Sequence, residues 1–125
     1  MTENDITQKI LDCSFNIHSK LGPGLFESVY EEVLSYELEK EGLEVKRQPI
    51  IAVYWDNHQM DLGFKADLIV EDRVIIELKS VESLQAVHKK QLLTYLKLSG
   101  IKLGLLMNFN ENMLKNGIKR IVNGL

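Results

Sequence analysis

Asp67, Glu77 and Lys79 are charged residues set into runs that otherwise read as buried β-strand. Asp67 interrupts Ala66-Leu68-Ile69-Val70, and Glu77 and Lys79 interrupt Val74-Ile75-Ile76-Leu78. A charge on such a strand costs free energy unless it is paired, coordinated or used. Side chains alternate along a strand, so Glu77 and Lys79 leave on one side with Ile75, while Val74, Ile76 and Leu78 line the other. The apolar faces of the two strands match only if Val70 stands opposite Val74 and Leu68 opposite Ile76, which requires an odd loop or a bulge between them. That register also sets Ala66 against Leu78 and Asp67 against Glu77. Two carboxylates a cross-strand distance apart repel, so a divalent cation, Lys79 or a raised pKa must compensate.

This set suits phosphodiester hydrolysis. Asp67 and Glu77, with the backbone carbonyl of Leu78 as a further ligand, are candidates to hold Mg²⁺ or Mn²⁺, which take oxygen ligands and keep waters for a substrate phosphate. Such a cation lowers the pKa of a bound water and stabilises charge on the phosphoryl oxygens. Lys79, a compact cation on the same face, would orient the water or neutralise developing charge. His88, Gln91 and Tyr95 recur at i, i+3 and i+7 on a helix that is otherwise largely apolar. Polar groups there need partners, which either a substrate or a core hydrogen-bond cluster would supply. Glu27 stands in the first turn of another helix, where the dipole alone favours an acid and where a site would gain a further one.

The elements that must position these groups follow from pattern. Ile6, Ile10, Cys13, Ile17 and Leu21 recur at helical spacing, and Gly22-Pro23-Gly24 ends that helix. A second helix begins near Phe26, with Phe26, Val29, Tyr30, Val33, Leu34 and Leu38 as its apolar stripe, Glu31, Glu32, Glu39 and Lys40 on its charged face, and Gly42 at its end. Residues Glu44 to Trp55, broken by Pro49, read as an interrupted or edge strand. Asp56-Asn57-His58 is a turn into a strand from Gln59 to Val70, and Arg73 to Lys79 is the next strand. The pattern is helical again from Leu84 to Leu98, ended by Gly100; Leu103 to Phe109 is a buried strand and Ile118 to Val122 a last edge strand. The expectation is an α/β fold with a central mixed sheet flanked by helices, in the order α-α-β-β-β-α-β.

At 125 residues, 45% apolar and 26% charged, the chain reads as one soluble domain, residues 1 to 125, with room for a substantial core. No run of ~18 apolar residues and no charged-then-apolar leader is present, so neither a membrane span nor a secretory signal is expected and the cytoplasm is the default. The single Cys13 rules out an internal disulfide and any multi-cysteine zinc site. A net charge of −3 does not mark a nucleic-acid binder, but its distribution is uneven. Residues 1 to 84 hold 8 Lys and Arg against 17 Asp and Glu, whereas residues 85 to 125 hold 7 against Glu111 alone. Lys89, Lys90, Lys97, Lys102, Lys115, Lys119 and Arg120 could grip a phosphate backbone while the acids bind metal; a solvated face of ordinary lysines is the alternative.

Together these residues resemble the PD-(D/E)XK nuclease superfamily in its RecB-like branch. Asp67 looks like the isolated aspartate, Glu77-Leu78-Lys79 matches E-x-K, and Gln91-Leu92-Leu93-Thr94-Tyr95 matches Q-x-x-x-Y. Gly24-x-x-Glu27-x-x-Tyr30 further resembles a family of small proteins named for a G-x-x-E-x-x-Y pattern, over about Ile6 to Val122. Ala66 stands where the superfamily often has proline. The resemblance implies a restriction-endonuclease-like core and Mg²⁺- or Mn²⁺-dependent cleavage of nucleic acid, DNA before RNA. It implies Asp67, Glu77, Lys79 and Glu27 as the catalytic set, and Gln91, Tyr95, Tyr30 and His88 as groups positioning substrate or metal-bound water. Since the chain is little more than that core, a protein partner or a homo-oligomer is expected to supply target choice. The competing readings are a nuclease-fold protein that binds nucleic acid or a protein without cutting, and a buried ion-pair network in a domain of unrelated function.

Overall fold

The computed structural model describes residues 1–125 throughout. Two helices come first, α1 (Glu3–Leu21) and α2 (Glu27–Lys40). Six short strands follow: β1 (Val45–Arg47), β2 (Ile50–Ile51), β3 (Tyr54–Trp55), β4 (His58–Gln59), β5 (Phe64–Lys65) and β6 (Leu68–Val70). The remainder is β7 (Val74–Lys79), α3 (Ala86–Ser99), β8 (Leu103–Asn108), a 3₁₀ turn (Leu114–Gly117) and β9 (Ile118–Val122). A five-stranded sheet in the order β1-β6-β7-β8-β9 forms the centre, with β7 and β8 parallel and every other pair antiparallel. The mixed α/β architecture is therefore as the pattern predicts. No helix is long and apolar enough to cross a membrane.

The helices take their ends from local chemistry. Thr2 Oγ1 accepts the Asp5 N–H at 3.1 Å and Asp5 Oδ2 accepts the Thr2 N–H at 2.9 Å, a reciprocal cap that starts α1. Gly100, at φ 77°, closes α3 in the left-handed conformation. α1 and α2 cover one face of the sheet, where Ile6, Ile10, Leu34 and Leu38 join Leu68, Val74, Ile76 and Leu78 in one core. α3 covers the other, where Leu92 and Leu96 meet Ile69, Ile75 and Leu106. Cys13 is half-buried against the first of these cores.

The register at the centre is the one the hydrophobic faces select: Leu68 opposite Ile76, Ile69 opposite Ile75 and Val70 opposite Val74. An odd loop connects them, Glu71-Asp72-Arg73, with φ of 55° at Glu71 and 53° at Asp72. Beyond Leu68 the expectation of one strand from Gln59 to Val70 fails. The chain bends at Asp67, Ala66 packs with Ile51 and Leu92 on the α3 side instead of facing Leu78, and the rest is a ribbon of the β2/β5 and β3/β4 pairs. Gly63 permits the ribbon to close, since a Cβ there would lie 2.4 Å from the Ile51 carbonyl oxygen.

α2 departs from its expected stripe. Tyr30, Leu34 and Leu38 are buried, but Phe26 is 80% exposed and Val29 is at the surface, while Glu31, expected on the charged face, is only 7% exposed. The buried face is rotated toward β1, where Arg47 at its end and Gln48 just after it supply the partners that make a buried acid tolerable. α3 is likewise buried on one side only, with Val87 and Leu98 at the surface.

The approach of α3 to the sheet depends on Gly104 of β8, where a Cβ would lie 2.9 Å from Leu92 Cγ and Cδ1. Leu92 is fully buried and has no room to yield. Gly104→Ala is expected to destabilise by ~1–3 kcal/mol, the usual cost of overpacking a core, read as a lowered thermal midpoint.

Candidate active site

The C-terminal end of β7 carries Glu77, Leu78 and Lys79, and the bend before β6 brings Asp67 against it. Asp67 Oδ2 accepts the Leu78 N–H at 2.7 Å, so the carboxylate is fixed to the backbone of the neighbouring strand. Glu77, 6% exposed, has its Oε1 buried without a hydrogen-bond partner. Its carboxyl is pushed up to about 9, mainly by burial, then by the hydrogen bond and charge of Asp67, against which Lys79 pulls the other way. Lys79 is half-buried and engaged in no ion pair. The charge of Lys79 offsets the negative charge between Asp67 and Glu77 only in part, and a proton on Glu77 meets the rest.

Glu27 joins this end of β7 through the chain that follows it. Its Oε1 accepts the Ser80 N–H at 3.0 Å, and Ser80 Oγ donates to the Leu25 carbonyl at 2.6 Å, which latches the start of α2 to the residue after Lys79. Asn108, fully buried at the end of β8, fixes the next residue: its Nδ2 donates to the Val81 carbonyl at 2.9 Å and its Oδ1 accepts the Val81 N–H at 3.1 Å. Nothing about an asparagine at the end of an apolar run marked it beforehand.

From the other side comes α3. Tyr95 stacks on Phe64 at 4.2 Å between centroids, and its phenol is raised first by burial and then by the charges of Glu77 and Asp67, which puts it within their field. Gln91, one turn earlier, is exposed. The structure thus brings together Asp67, Glu77, Leu78, Lys79 and Tyr95, with Glu27 attached through Ser80. Two sequence candidates are engaged elsewhere. Tyr30 is fully buried, stacks on Phe109 at 4.5 Å, and spends its hydroxyl on the Gly22 carbonyl at 2.6 Å and the Leu25 N–H at 3.2 Å, so it shapes the loop before Glu27 and does not reach a substrate. His88 Nδ1 accepts the Gln85 N–H at 3.0 Å and caps α3.

Sequence reasoning missed Glu31 and Gln48. Gln48, between β1 and β2, donates from Nε2 to Glu31 Oε1 at 2.5 Å and to Asp67 Oδ1 at 3.4 Å, and its N–H donates to the Asp67 carbonyl at 2.8 Å. A helical-wheel reading assigns Glu31 to solvent, and only the i, i+4 relation to Glu27 could have drawn attention to it.

No three His, Cys, Asp or Glu side chains converge as a ready-made metal cage. The donor set nonetheless fits a hard divalent cation. Mg²⁺ commonly takes one or two carboxylates and completes its shell with water and phosphate. An orphaned, buried carboxylate oxygen beside a second carboxylate is the arrangement such an ion would relieve. A protein-family model described as the PD-(D/E)XK nuclease superfamily matches residues 4–121. The fold is similar to the crystal structure of SSO0001, with a TM-score of 0.48 and 19% identity over 96% of this chain and 79% of that one. No curated protein matches the chain.

Proposed function

The chain belongs to the PD-(D/E)XK nuclease superfamily, and we propose that it is a Mg²⁺- or Mn²⁺-dependent nuclease acting on DNA in preference to RNA. The five-stranded mixed sheet with helices on both faces is the restriction-endonuclease-like core of that superfamily. We assign it to the RecB-like branch, and to the G-x-x-E-x-x-Y type, on Gln91, Tyr95, Gly24, Glu27 and Tyr30. The observation that carries the proposal is the unpartnered Oε1 of Glu77, buried beside Asp67 with Lys79 on the same strand end.

Asp67, Glu77 and the Leu78 carbonyl would hold the cation, with Glu27 as a further acid nearby. When bound, the ion supplies an acidified water and stabilises charge on the phosphoryl group. The chain's own groups do the rest. The Leu78 N–H keeps the Asp67 carboxylate aimed at the strand end. Lys79, with no acid claiming it, is free to hold the attacking water or to neutralise charge as it develops. Tyr95, and Gln91 one turn before it on α3, would orient phosphate. All four ion pairs of the protein use cations from the first 84 residues, so no acid holds any of the seven cations after residue 84, of which Arg120 donates to Asn4 Oδ1, and they would be available to a phosphate backbone.

The test is incubation of labelled linear single-stranded, linear double-stranded and circular DNA, and of RNA, with Mg²⁺, Mn²⁺ or EDTA. Metal-dependent cutting, strongest on DNA and absent in EDTA, is expected. Absence of both cutting and Mn²⁺ binding by calorimetry would favour the reading in which the fold binds nucleic acid or protein without catalysis.

A further inference from the structure

We infer that Glu31 and Gln48 form a clamp that positions Asp67, an inference that rests on the nuclease reading of that aspartate. The links run from α2 to the site. Arg47 holds the buried Glu31 carboxylate through Nε at 3.4 Å and a terminal guanidinium nitrogen at 3.3 Å. Glu31 Oε1 then takes one N–H of the Gln48 amide at 2.5 Å, which leaves the other directed at Asp67 Oδ1, 3.4 Å away. Gln48 holds Asp67 a second time through backbone, N–H to carbonyl, at 2.8 Å. With Leu78 on Oδ2, both oxygens of the Asp67 carboxylate are met from fixed backbone or clamped side chain.

Two features mark the clamp as more than packing. Gln48 has φ 52° and stands directly before Pro49, a combination that disfavours a side chain and is tolerated where something else requires the residue. Glu31 is a carboxylate at 7% exposure whose burial gains nothing hydrophobic and whose Oε1 serves only Gln48. A backbone optimised for stability would place glycine at residue 48 and an apolar residue at 31. Groups that aim a metal-binding carboxylate typically matter by 10- to 100-fold in affinity or rate.

Gln48→Gly suits the backbone, keeps its N–H on the Asp67 carbonyl and removes the side-chain arm of the clamp; Glu31→Gln keeps the size and removes the charge that orients Gln48. Four readouts are taken on each: the thermal midpoint, the amide signal of Leu78 in metal-free ¹⁵N-labelled protein, Mn²⁺ affinity by calorimetry, and the kcat and KM of cleavage. The inference expects Gln48→Gly to keep a cooperative melt, the relief at φ 52° offsetting part of the cost of leaving Glu31 Oε1 without its amide partner. It expects the Leu78 amide in both variants to move toward its position in Asp67→Ala, Mn²⁺ affinity to fall roughly 10- to 100-fold, and cleavage to fall in kcat with KM little changed. A Leu78 signal that stays put, or Mn²⁺ affinity within two-fold of the wild type, overturns it. If the wild type cuts and binds Mn²⁺ and Gln48→Gly matches it, the clamp falls and the nuclease reading stands. If Leu78 moves but the wild type neither cuts nor binds Mn²⁺, the positioning holds and the nuclease reading falls.

Discussion

Asp67→Asn is expected to lose cleavage by about 10³-fold or more while the protein stays folded, the signature of a group that acts in the transition state. The retained fold follows from what Asp67 does locally. Its Oδ2 accepts the Leu78 N–H, a bond an asparagine oxygen can also accept, and its main-chain carbonyl keeps the Gln48 N–H. What disappears is a negative charge that Glu77 must otherwise endure. The thermal midpoint should therefore hold or rise, as is common when a functional site is neutralised. Lys79→Ala should behave alike, because Lys79 has no acid whose partner would be lost. Initial cleavage rates in Mn²⁺ set beside circular-dichroism melts check both. If both variants lost the cooperative melt, Asp67 and Lys79 would be members of a structural network and the catalytic reading would be abandoned.

The centre of the fold was legible because two independent constraints coincide there. The face-matching of β6 and β7 fixes a register that places Asp67 next to the end of β7, and the same register demands the odd loop that Glu71 and Asp72 form with positive φ. Helix ends were legible where a glycine or a cap decides them, at Gly22 and Gly100. The stretch before Asp67 was not, because alternation in short, half-exposed strands specifies register weakly, and Gly63 with the bend at Asp67 resets the face that each residue presents. α2 was misread in rotation for a related reason. A buried acid breaks the apolar periodicity, and only the partners Arg47, at the end of β1, and Gln48, just after it, make its burial acceptable.

The site divides in the same way. Residues that carry charge on apolar strands were visible because they violate the pattern around them, as Asp67, Glu77 and Lys79 do. Residues that serve the site through backbone contacts were invisible. Asn108 fixes Val81 by amide geometry, and Gln48 acts through a strained φ, neither of which composition or periodicity encodes. Tyr30 is the converse case: a tyrosine within a recognisable pattern was expected to position substrate or metal-bound water, and its hydroxyl meets main-chain atoms of the loop it closes.

Metal-free protein is expected to lose stability as the pH rises from about 4.5 to about 9, and Glu77→Gln to remove that loss. The sign follows from proton counts. In the unfolded chain Glu77 titrates near 4.5, whereas in the fold its carboxyl holds its proton up to about 9, because burial and then Asp67 penalise the charge. Between those values the folded state binds one proton more than the unfolded state, so stability falls with pH at up to about 1.4 kcal/mol per pH unit. The contribution is whole below the lower value and gone above the upper one. Over the full window the loss is a substantial part of the stability of a small domain. A saturating divalent cation would take the place of the proton, so it should flatten the profile, and binding at pH 7 should release about one proton per ion. Urea midpoints across the pH series, with and without Mn²⁺, and calorimetry in buffers of differing ionisation enthalpy measure the two effects. Parallel profiles for the wild type and Glu77→Gln would mean that Glu77 is already ionised in the fold, and the partly compensated acid pair would no longer be the driving force for cation binding.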